Sequence, residues 1–156
     1  MQEKVLISRW DVLDDMCPRA IYSLLKLRVD IFVVEQKCPY PEIDGKDISA
    51  FHLRILDGDK LAAALRVLPP QPGEPVKIGR VVVAPDYRGN DLGRRLMQEA
   101  IVFAQSRFPA TALELSGQSH LQKFYGSLGF VAISDEYLED GIPHIDMRLN
   151  SPEATF

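Results

Sequence analysis

The chain has 156 residues, 46% of them hydrophobic and 26% charged, which is typical of one globular domain spanning 1–156. A formal net charge of -4 argues against a nucleic-acid-binding protein, because such surfaces are basic. No apolar run approaches the length of a membrane helix, and the first residues do not resemble a secretion signal. We therefore expect a cytoplasmic protein that binds no membrane and keeps Cys17 and Cys38 reduced.

Strands and helices are predicted from hydrophobic spacing and from the turn residues between them. In chain order they are strand Lys4–Trp10 (Val5 and Ile7 on one face), helix Pro18–Glu35, ordered loop 37–50, strands Phe51–Leu56, Leu61–Leu68 and Lys77–Ala84, a helix from Gly93 to Pro109, strand Thr111–Ser116, helix His120–Leu128, and strands Phe130–Ile133 and Ile142–Leu149. Hairpins and helical crossovers both occur, so the predicted class is α/β (α+β) with a mixed sheet flanked by helices.

A phosphate-binding turn is predicted where the strand Lys77–Ala84 leads into the next helix. Unpaired amides at a helix start, together with the helix dipole, attract phosphate, and glycines allow the backbone to approach it closely. Gly89 and Gly93 supply that freedom, while Arg88 and Arg94 add positive charge. The alternative is a plain strand–turn–helix in which the glycines serve only the turn.

Three motifs in the chain resemble the GNAT family of N-acetyltransferases. The segment Arg88–Gly93 (RGNDLG) is similar to the family's R/Q-x-x-G-x-G/A coenzyme A loop. Phe124–Phe130 (FYGSLGF) is similar to its [FL]-Y-x-x-x-G-F segment, and 24–47 resembles the ElaA-like branch. This resemblance implies a mostly antiparallel sheet with a central bulged strand.

The resemblance also implies an activity, the transfer of an acetyl group from acetyl-CoA to a primary amine of a small molecule or peptide. In the family the amides of the bulged strand pair with the pantetheine arm of coenzyme A. The implied cofactor-binding residues are Val81, Val82, Val83, Arg88, Gly89, Asn90, Asp91, Leu92, Gly93, Arg94, Gln118, Phe124 and Tyr125.

Asp91 departs from the family pattern because it stands where a glycine is usual. Aspartate tolerates the left-handed backbone conformation better than most residues, so we expect the turn to survive. Its charge is unfavourable near a diphosphate unless it points into solvent or pairs with Arg94 or Arg95. Gln118 is a milder departure, since it replaces an asparagine and keeps the amide.

Tyr125 matches the family's usual proton donor to the departing thiolate, although a tyrosine beside Phe124 can also serve packing alone. The proton acceptor for the amine is not fixed by the sequence. Glu114 is favoured by its place on a strand beside the expected cleft, and His120 by its place at the start of the helix that carries Tyr125. The other candidates are Glu35, His52 and His144; the three histidines have no metal-site spacing, and no metal is expected.

Acceptor-binding residues are expected at the end of the first helix and in the loop 37–50. The alternatives are that the acidic residues are simply solvated, or that an arginine pairs with a glutamate to hold the helix against the loop. The predicted residues are Arg28, Glu35, Gln36, Glu42, Asp44 and Asp47.

Two other functions remain open from the sequence, a non-catalytic acyl-CoA sensor and an interaction module on the same fold. Retention of Tyr125 argues against the first, and Asp91 is the feature most consistent with lost cofactor binding. The strand Ile142–Leu149 is a candidate edge for pairing two copies of the chain into a homodimer.

Overall fold

The computed structural model describes residues 5–152. Eight strands form one sheet: β1 Ile7–Asp11, β2 Phe51–Asp57, β3 Lys60–Leu68, β4 Val76–Val83, β5 Leu113–Gln118, β6 Val131–Ala132, β7 Tyr137–Glu139 and β8 Ile142–Leu149. The helices are α1 Pro18–Val29, which continues as a π-helix over Asp30–Glu35, α2 Leu92–Arg107 and α3 Gln122–Ser127. Short 3-10 turns lie at Leu13–Asp15, Pro85–Tyr87 and Ser119–Leu121.

The sheet is mixed and mostly antiparallel, which confirms the predicted fold class. Its strand order is β1-β2-β3-β4-β5-β8-β6, with β7 pairing on β8. Within residues 5–152, only β4 and β5 are parallel neighbours. Buried residues of α2 such as Leu96 and Ala100 pack on one face, while Leu24 of α1 packs with Ala64 and Val82 on the other.

The two ends of the sheet differ from the sequence prediction. Lys4, the predicted first residue of β1, lies outside the described residues; Val5 and Ile7 are 75% and 61% exposed. The inward face of β1 carries Trp10 instead, whose ring stacks on Phe103 at 4.0 Å. At the other end, Tyr137–Glu139 forms an additional strand that the sequence prediction missed.

A bulge in β4 separates it from β5. In the register with β3, Ala64 lies opposite Val82 and Arg66 lies opposite Gly79. Leu65 therefore lies opposite two residues, Arg80 and Val81, and Arg80 has a left-handed φ of +54°. An extra residue in one strand bends it and increases its twist. Beyond residue 77, β4 has no ladder partner on its β5 side among residues 5–152. The predicted bulged central strand is confirmed, and a cleft opens where the two strands diverge.

Buried ion pairs hold the loop 37–50 against the sheet. Arg28 is 1% exposed, and its guanidinium donates to Asp47 Oδ1 and to Glu42 Oε2, each at 2.7 Å. Arg66 donates to Asp44 Oδ2 at 2.6 Å and to Asp47 Oδ1 at 3.0 Å. The loop therefore keeps one shape without regular secondary structure.

These arginines also set the ionisation of the loop. The hydrogen bond from Arg66 holds the pKa of Asp44 well below its ordinary value. Burial alone would raise the pKa of Asp47, but hydrogen bonds from Arg28 and Arg66 outweigh it and keep that pKa lowered. Both carboxylates are consequently charged at neutral pH, and each has an arginine as counter-ion.

Replacement of Arg28 by methionine tests the network. Arg28→Met leaves Glu42 and Asp47 as buried carboxylates that have lost a cation, which typically costs about 3–5 kcal/mol of unfolding free energy. Lys26→Met is the matched control on the same helix, because the pair of Lys26 with Asp30 is exposed to solvent and contributes little to stability. Urea unfolding measures both variants, and equal losses would contradict a structural role for the buried network.

Candidate active site

The cleft between β4 and β5 has a volume of about 580 Å³. Its β4 wall includes Gly79 and Val81, and its β5 wall runs from Glu114 to Gln118. Backbone groups of β4 face this space without a strand partner, so an extended molecule that carries amides can hydrogen-bond there as an added strand does. The Val83 amide is one of these backbone groups. The next amide along the chain, Ala84 N, donates to Ala62 O on the β3 side, and successive amides of a strand point to opposite edges, so the Val83 amide points towards β5.

The predicted phosphate turn begins directly after β4. Gly89 has φ +84° and Asp91 has φ +58°, so two left-handed residues curl the chain between the 3-10 turn and α2. Asn90 Nδ2 donates to Tyr87 O at 3.0 Å and stabilises that curl. The free amides at the start of the 16-residue helix α2 are therefore presented together at the end of β4.

Asp91 takes the left-handed conformation that was expected of it. Its side chain is 76% exposed, and Oδ2 lies 3.7 Å from Arg94 Nε. The carboxylate thus lies in solvent and near a cation, the two conditions under which its charge is tolerable beside a phosphate. Arg94 in turn lies over the ring of Phe124 at 5.4 Å and donates to Ser127 Oγ.

Two contacts join the end of the π-helix to the predicted phosphate turn and to β5. Arg88 donates to both carboxylate oxygens of Glu35, at 2.9 and 2.6 Å, and these hydrogen bonds lower the pKa of Glu35. Gln118 Nε2 donates to Gln36 Oε1 at 3.3 Å. Glu35 and Gln36, predicted to contact the acceptor, are thus paired with two residues predicted to contact the cofactor.

Tyr125 lines the cleft from α3 and is 6% exposed. Its ring meets Phe124 and Phe130 edge to face, at 5.1 and 6.4 Å between centroids. Burial raises the pKa of Tyr125 to about 12, so the hydroxyl keeps its proton at neutral pH. The structure therefore provides a buried, protonated hydroxyl in the cleft wall.

A row of polar side chains covers the other face of the strand pair β5–β8. Side chains alternate between the two faces along each strand, so the polar residues point away from the face that carries the buried Leu113, Leu115, Ile145 and Met147. Glu114 was expected to do so. Arg148 donates to Glu114 Oε2 at 2.6 Å, and Tyr137 Oη donates to Asp146 Oδ1 at 2.6 Å. The row consists of Glu114, Ser116, Gln118, His144, Asp146 and Arg148.

Apart from Glu35, which is held by Arg88 and does not line the cleft, the predicted acceptor residues fall into two groups. Asp44 and Gln36 line the cleft. Arg28, Glu42 and Asp47 are buried in the ion network, where their charged groups bind one another. Of these, only the first group lies where a molecule in the cleft would touch it.

The candidate proton acceptors are also scattered. His120 is exposed and lines the cleft, as does Glu114. His52 is buried, its Nε2 lies 2.9 Å from Asp47 O, and burial lowers its pKa. His144 lines the cleft from β8.

Sequence reasoning missed several residues of the cleft. Arg66 and Arg80 line it beside Asp44, and Ser116 and Asp146 belong to the polar row. The row could have been found from the alternation in ELSGQ and HIDMR, whereas nothing in the sequence marks Arg80 as a left-handed bulge residue. Within residues 5–152, no three His, Cys, Asp or Glu side chains are grouped so as to hold a metal ion. No helix in that part of the chain has the length and apolar character to cross a membrane.

Comparison with known proteins places this geometry in a family. Residues 25–151 match the model of the acetyltransferase (GNAT) domain. Protein ElaA of Escherichia coli is 44% identical over 130 residues, which cover 81% of this chain and 85% of ElaA. The crystal structure of an acyl-CoA N-acyltransferase from Pseudomonas aeruginosa superimposes with a TM-score of 0.89 at 44% identity, covering 93% of this chain and 99% of that one.

Two further structures extend the comparison. The crystal structure of E. coli ElaA gives a TM-score of 0.88 over 94% of this chain and 100% of its own, at 37% identity. An aminoglycoside 6'-N-acetyltransferase complexed with coenzyme A gives 0.70, over 91% of this chain and 96% of its own. At 15% identity this last likeness concerns the fold alone.

Gly117→Ala tests how tightly the tyrosine is held. A Cβ at residue 117 would lie 2.8 Å from Tyr125 Cε2 and 3.2 Å from Leu115 Cδ1, and the buried ring has little room to retreat. We expect a loss of about 1–3 kcal/mol in unfolding free energy, as for other overpacked cores. Gly126→Ala is the control, because its Cβ would meet nothing within 4 Å. Urea unfolding that is unchanged in Gly117→Ala would contradict the close packing.

Proposed function

The chain belongs to the GNAT acetyltransferase family, and we propose that it transfers an acetyl group from acetyl-CoA to a primary amine of a small molecule or peptide. The observation that supports this most strongly is the cleft itself. An unpaired strand edge leads to a helix start at one end, and a buried, protonated tyrosine lies in the wall. The first two features suit the binding of an acyl-CoA donor, and the third suits the departure of its thiolate.

The residues of the cleft fit a coenzyme A donor. Unpaired amides on the free edge of β4 suit the pantetheine amides, and the turn Arg88–Gly93 suits the diphosphate. Arg88 gains a phosphate partner if it leaves Glu35, and their exposed ion pair is weak enough to exchange. When bound, acetyl-CoA supplies an acetyl group activated as a thioester. The Val83 amide is then a candidate donor to the oxygen that becomes negative during acyl transfer.

Tyr125 is suited to protonate the leaving thiolate. A thiol has an ordinary pKa near 8.5, well below the value of about 12 for Tyr125. Because the phenol is the weaker acid of the two, it gives its proton to the sulfur only as its oxygen takes a proton from the reacting amine nitrogen, so Tyr125 acts as a relay between the two. Its burial also excludes water from that part of the cleft.

The two faces of the split sheet suit the two substrates. Tyr125 belongs to the apolar core on the α2 face, whereas the polar row lies on the opposite face of β5 and β8. We assign the acceptor to this polar face, with Asp44 and Gln36 as its contacts from the loop side. Arg28, Glu42 and Asp47 act indirectly by holding the loop, and the homodimer and cytoplasmic location remain predictions.

Thiol release from acetyl-CoA tests the proposed function. The acceptors are spermidine, a lysine tripeptide and kanamycin, and we expect at least one to give release that depends on the amine. Calorimetric titration with acetyl-CoA, run in parallel, separates the alternatives. Binding without release for any amine would favour the acyl-CoA sensor, and absence of binding would favour the interaction module.

Tyr125→Phe should lower kcat with the best of these acceptors by tenfold or more. The change removes only the hydroxyl, so the unfolding temperature and the affinity for acetyl-CoA should stay close to wild type. Steady-state kinetics across the pH range provides the measurement. A kcat that is unchanged at every pH would remove Tyr125 from the mechanism.

A further inference from the structure

We propose that His144 Nε2 accepts the proton of the acceptor amine, an assignment that rests on the acyl transfer proposed above and completes it. An alkylamine with a pKa of about 10.4 pays roughly 4.6 kcal/mol to be neutral at pH 7, so a proton acceptor beside it is valuable. The polar row of β5 and β8 places His144 in the wall of the cleft, on the face assigned to the acceptor.

The backbone fixes which nitrogen of His144 is able to accept a proton. His144 Nδ1 lies 2.7 Å from Ile142 O, and a carbonyl oxygen only accepts hydrogen bonds. Nδ1 therefore carries the hydrogen in the neutral ring, which leaves the lone pair on Nε2. The same contact fixes the orientation of the ring, as a buried carboxylate does for the histidine of a catalytic triad.

A carboxylate lies beside His144 without occupying its free nitrogen. Glu139 Oε2 is 3.5 Å from Nε2, which is too far for a strong hydrogen bond. The ring stacks on Tyr137 with 6.3 Å between centroids, and the side chain is 13% exposed. His144 is thus held in place at the edge of the cleft with a counter-ion beside it.

The other candidate acceptors are engaged or loosely placed. Glu35 is held by Arg88 at the cofactor turn, and His52 is buried against Asp47 O. Glu114 Oε2 receives two hydrogen bonds from Arg148, at 3.0 and 2.6 Å, so protonating that oxygen would break an ion pair. His120 lines the cleft as an exposed ring at the end of β5. His144 alone among these five combines a place in the cleft, a fixed tautomer and an adjacent carboxylate.

The protons balance with His144 and Tyr125 as the two partners of the amine. The ammonium gives one proton to His144 Nε2, and the freed lone pair attacks the thioester carbon. A C–N bond forms and the C–S bond breaks; the sulfur takes the proton of Tyr125, which regains one from the amine nitrogen. His144 releases its proton to solvent, so the net products are an amide, a thiol and one proton.

The pH dependence of this step reflects the groups that face His144. Glu139 and Tyr137 face it from β7, Asp140 from the following turn and Asp146 from its own strand, with Glu114 and His120 along the cleft. Four of these six are carboxylates, and only Glu114 is paired with an arginine among the described residues. Their negative charge favours the binding of an ammonium at this end of the cleft.

His144→Asn is the decisive variant, because the Asn amide can still donate to Ile142 O while offering no basic nitrogen. At pH 7, with the best acceptor among spermidine, the lysine tripeptide and kanamycin, we expect kcat/KM to fall about 100-fold, within the usual range for a general base. The defect should shrink towards none as the pH approaches about 10, where the amine is neutral on its own. With aniline, which is already neutral at pH 7, the variant should match wild type.

Several outcomes overturn the assignment. A defect of equal size at all pH values, or an equal defect with aniline, would mean that His144 only supports the structure. The same pH pattern in His120→Asn or Glu114→Gln, and not in His144→Asn, would place the proton acceptor there. Wild-type protein whose thiol release is not increased by any amine would instead overturn the proposed function itself.

Two measurements keep the test independent of folding defects. The unfolding temperature and the affinity for acetyl-CoA should be the same in His144→Asn as in the wild type. If His144→Asn does not fold, His144→Gln takes its place in every measurement. Nitrogen-15 NMR of the wild-type imidazole should show hydrogen on Nδ1 of His144. Hydrogen on Nε2 in the neutral ring would overturn the proposal without any kinetic measurement.

Discussion

The bulge at Arg80 and Val81 is the feature on which the rest of the molecule depends. A continuous sheet would satisfy every backbone group of β4 and leave no space between β4 and β5. The extra residue turns β4 away after two paired residues, so a cleft opens inside the sheet while the sheet remains intact elsewhere. Each face of the split sheet then contributes different chemistry to one cavity, apolar with Tyr125 on one side and polar on the other.

A left-handed arginine at the bulge is unfavourable by itself, and the surrounding charges explain how it is held. Arg80 Nε lies 2.8 Å from Glu42 Oε1, and its guanidinium lies over the Tyr40 ring. Glu42 is bound in turn by Arg28, so the ion network that shapes the loop 37–50 also anchors the bulge. The loop and the bulge therefore stabilise one another, and the network also borders the cleft at Asp44, Arg66 and Arg80.

Much of the fold could be predicted from the sequence because local signals were strong. Proline, glycine and β-branched residues marked most elements, and Gly89 and Gly93 marked the cofactor turn. The failures occurred where tertiary context decides: β7 is three residues long and forms only because β8 is beside it. Val5 and Ile7 looked like an inner face, but the register of β1 on β2 turns Ser8 and Trp10 inward.

Site prediction followed the same division. The turn and Tyr125 belong to contiguous motifs and could be named as candidates from the sequence, whereas the polar row assembles residues about 30 positions apart and needed the β5–β8 register. At Glu42 and Asp47 in the loop 37–50 the sequence suggested a site that the structure does not form. These acidic residues are close together, as at a site for a cationic ligand, but they are buried against Arg28. Charge in a sequence does not reveal whether its partner is a substrate or another part of the chain.

The claim on which this account rests is that coenzyme A occupies the split between β4 and β5. Backbone amide NMR during titration with coenzyme A tests it most directly. The account predicts that the largest shifts fall on the free edge of β4 around Val81–Val83 and on the turn Arg88–Arg94. Saturable binding whose shifts spare both of these segments would contradict it.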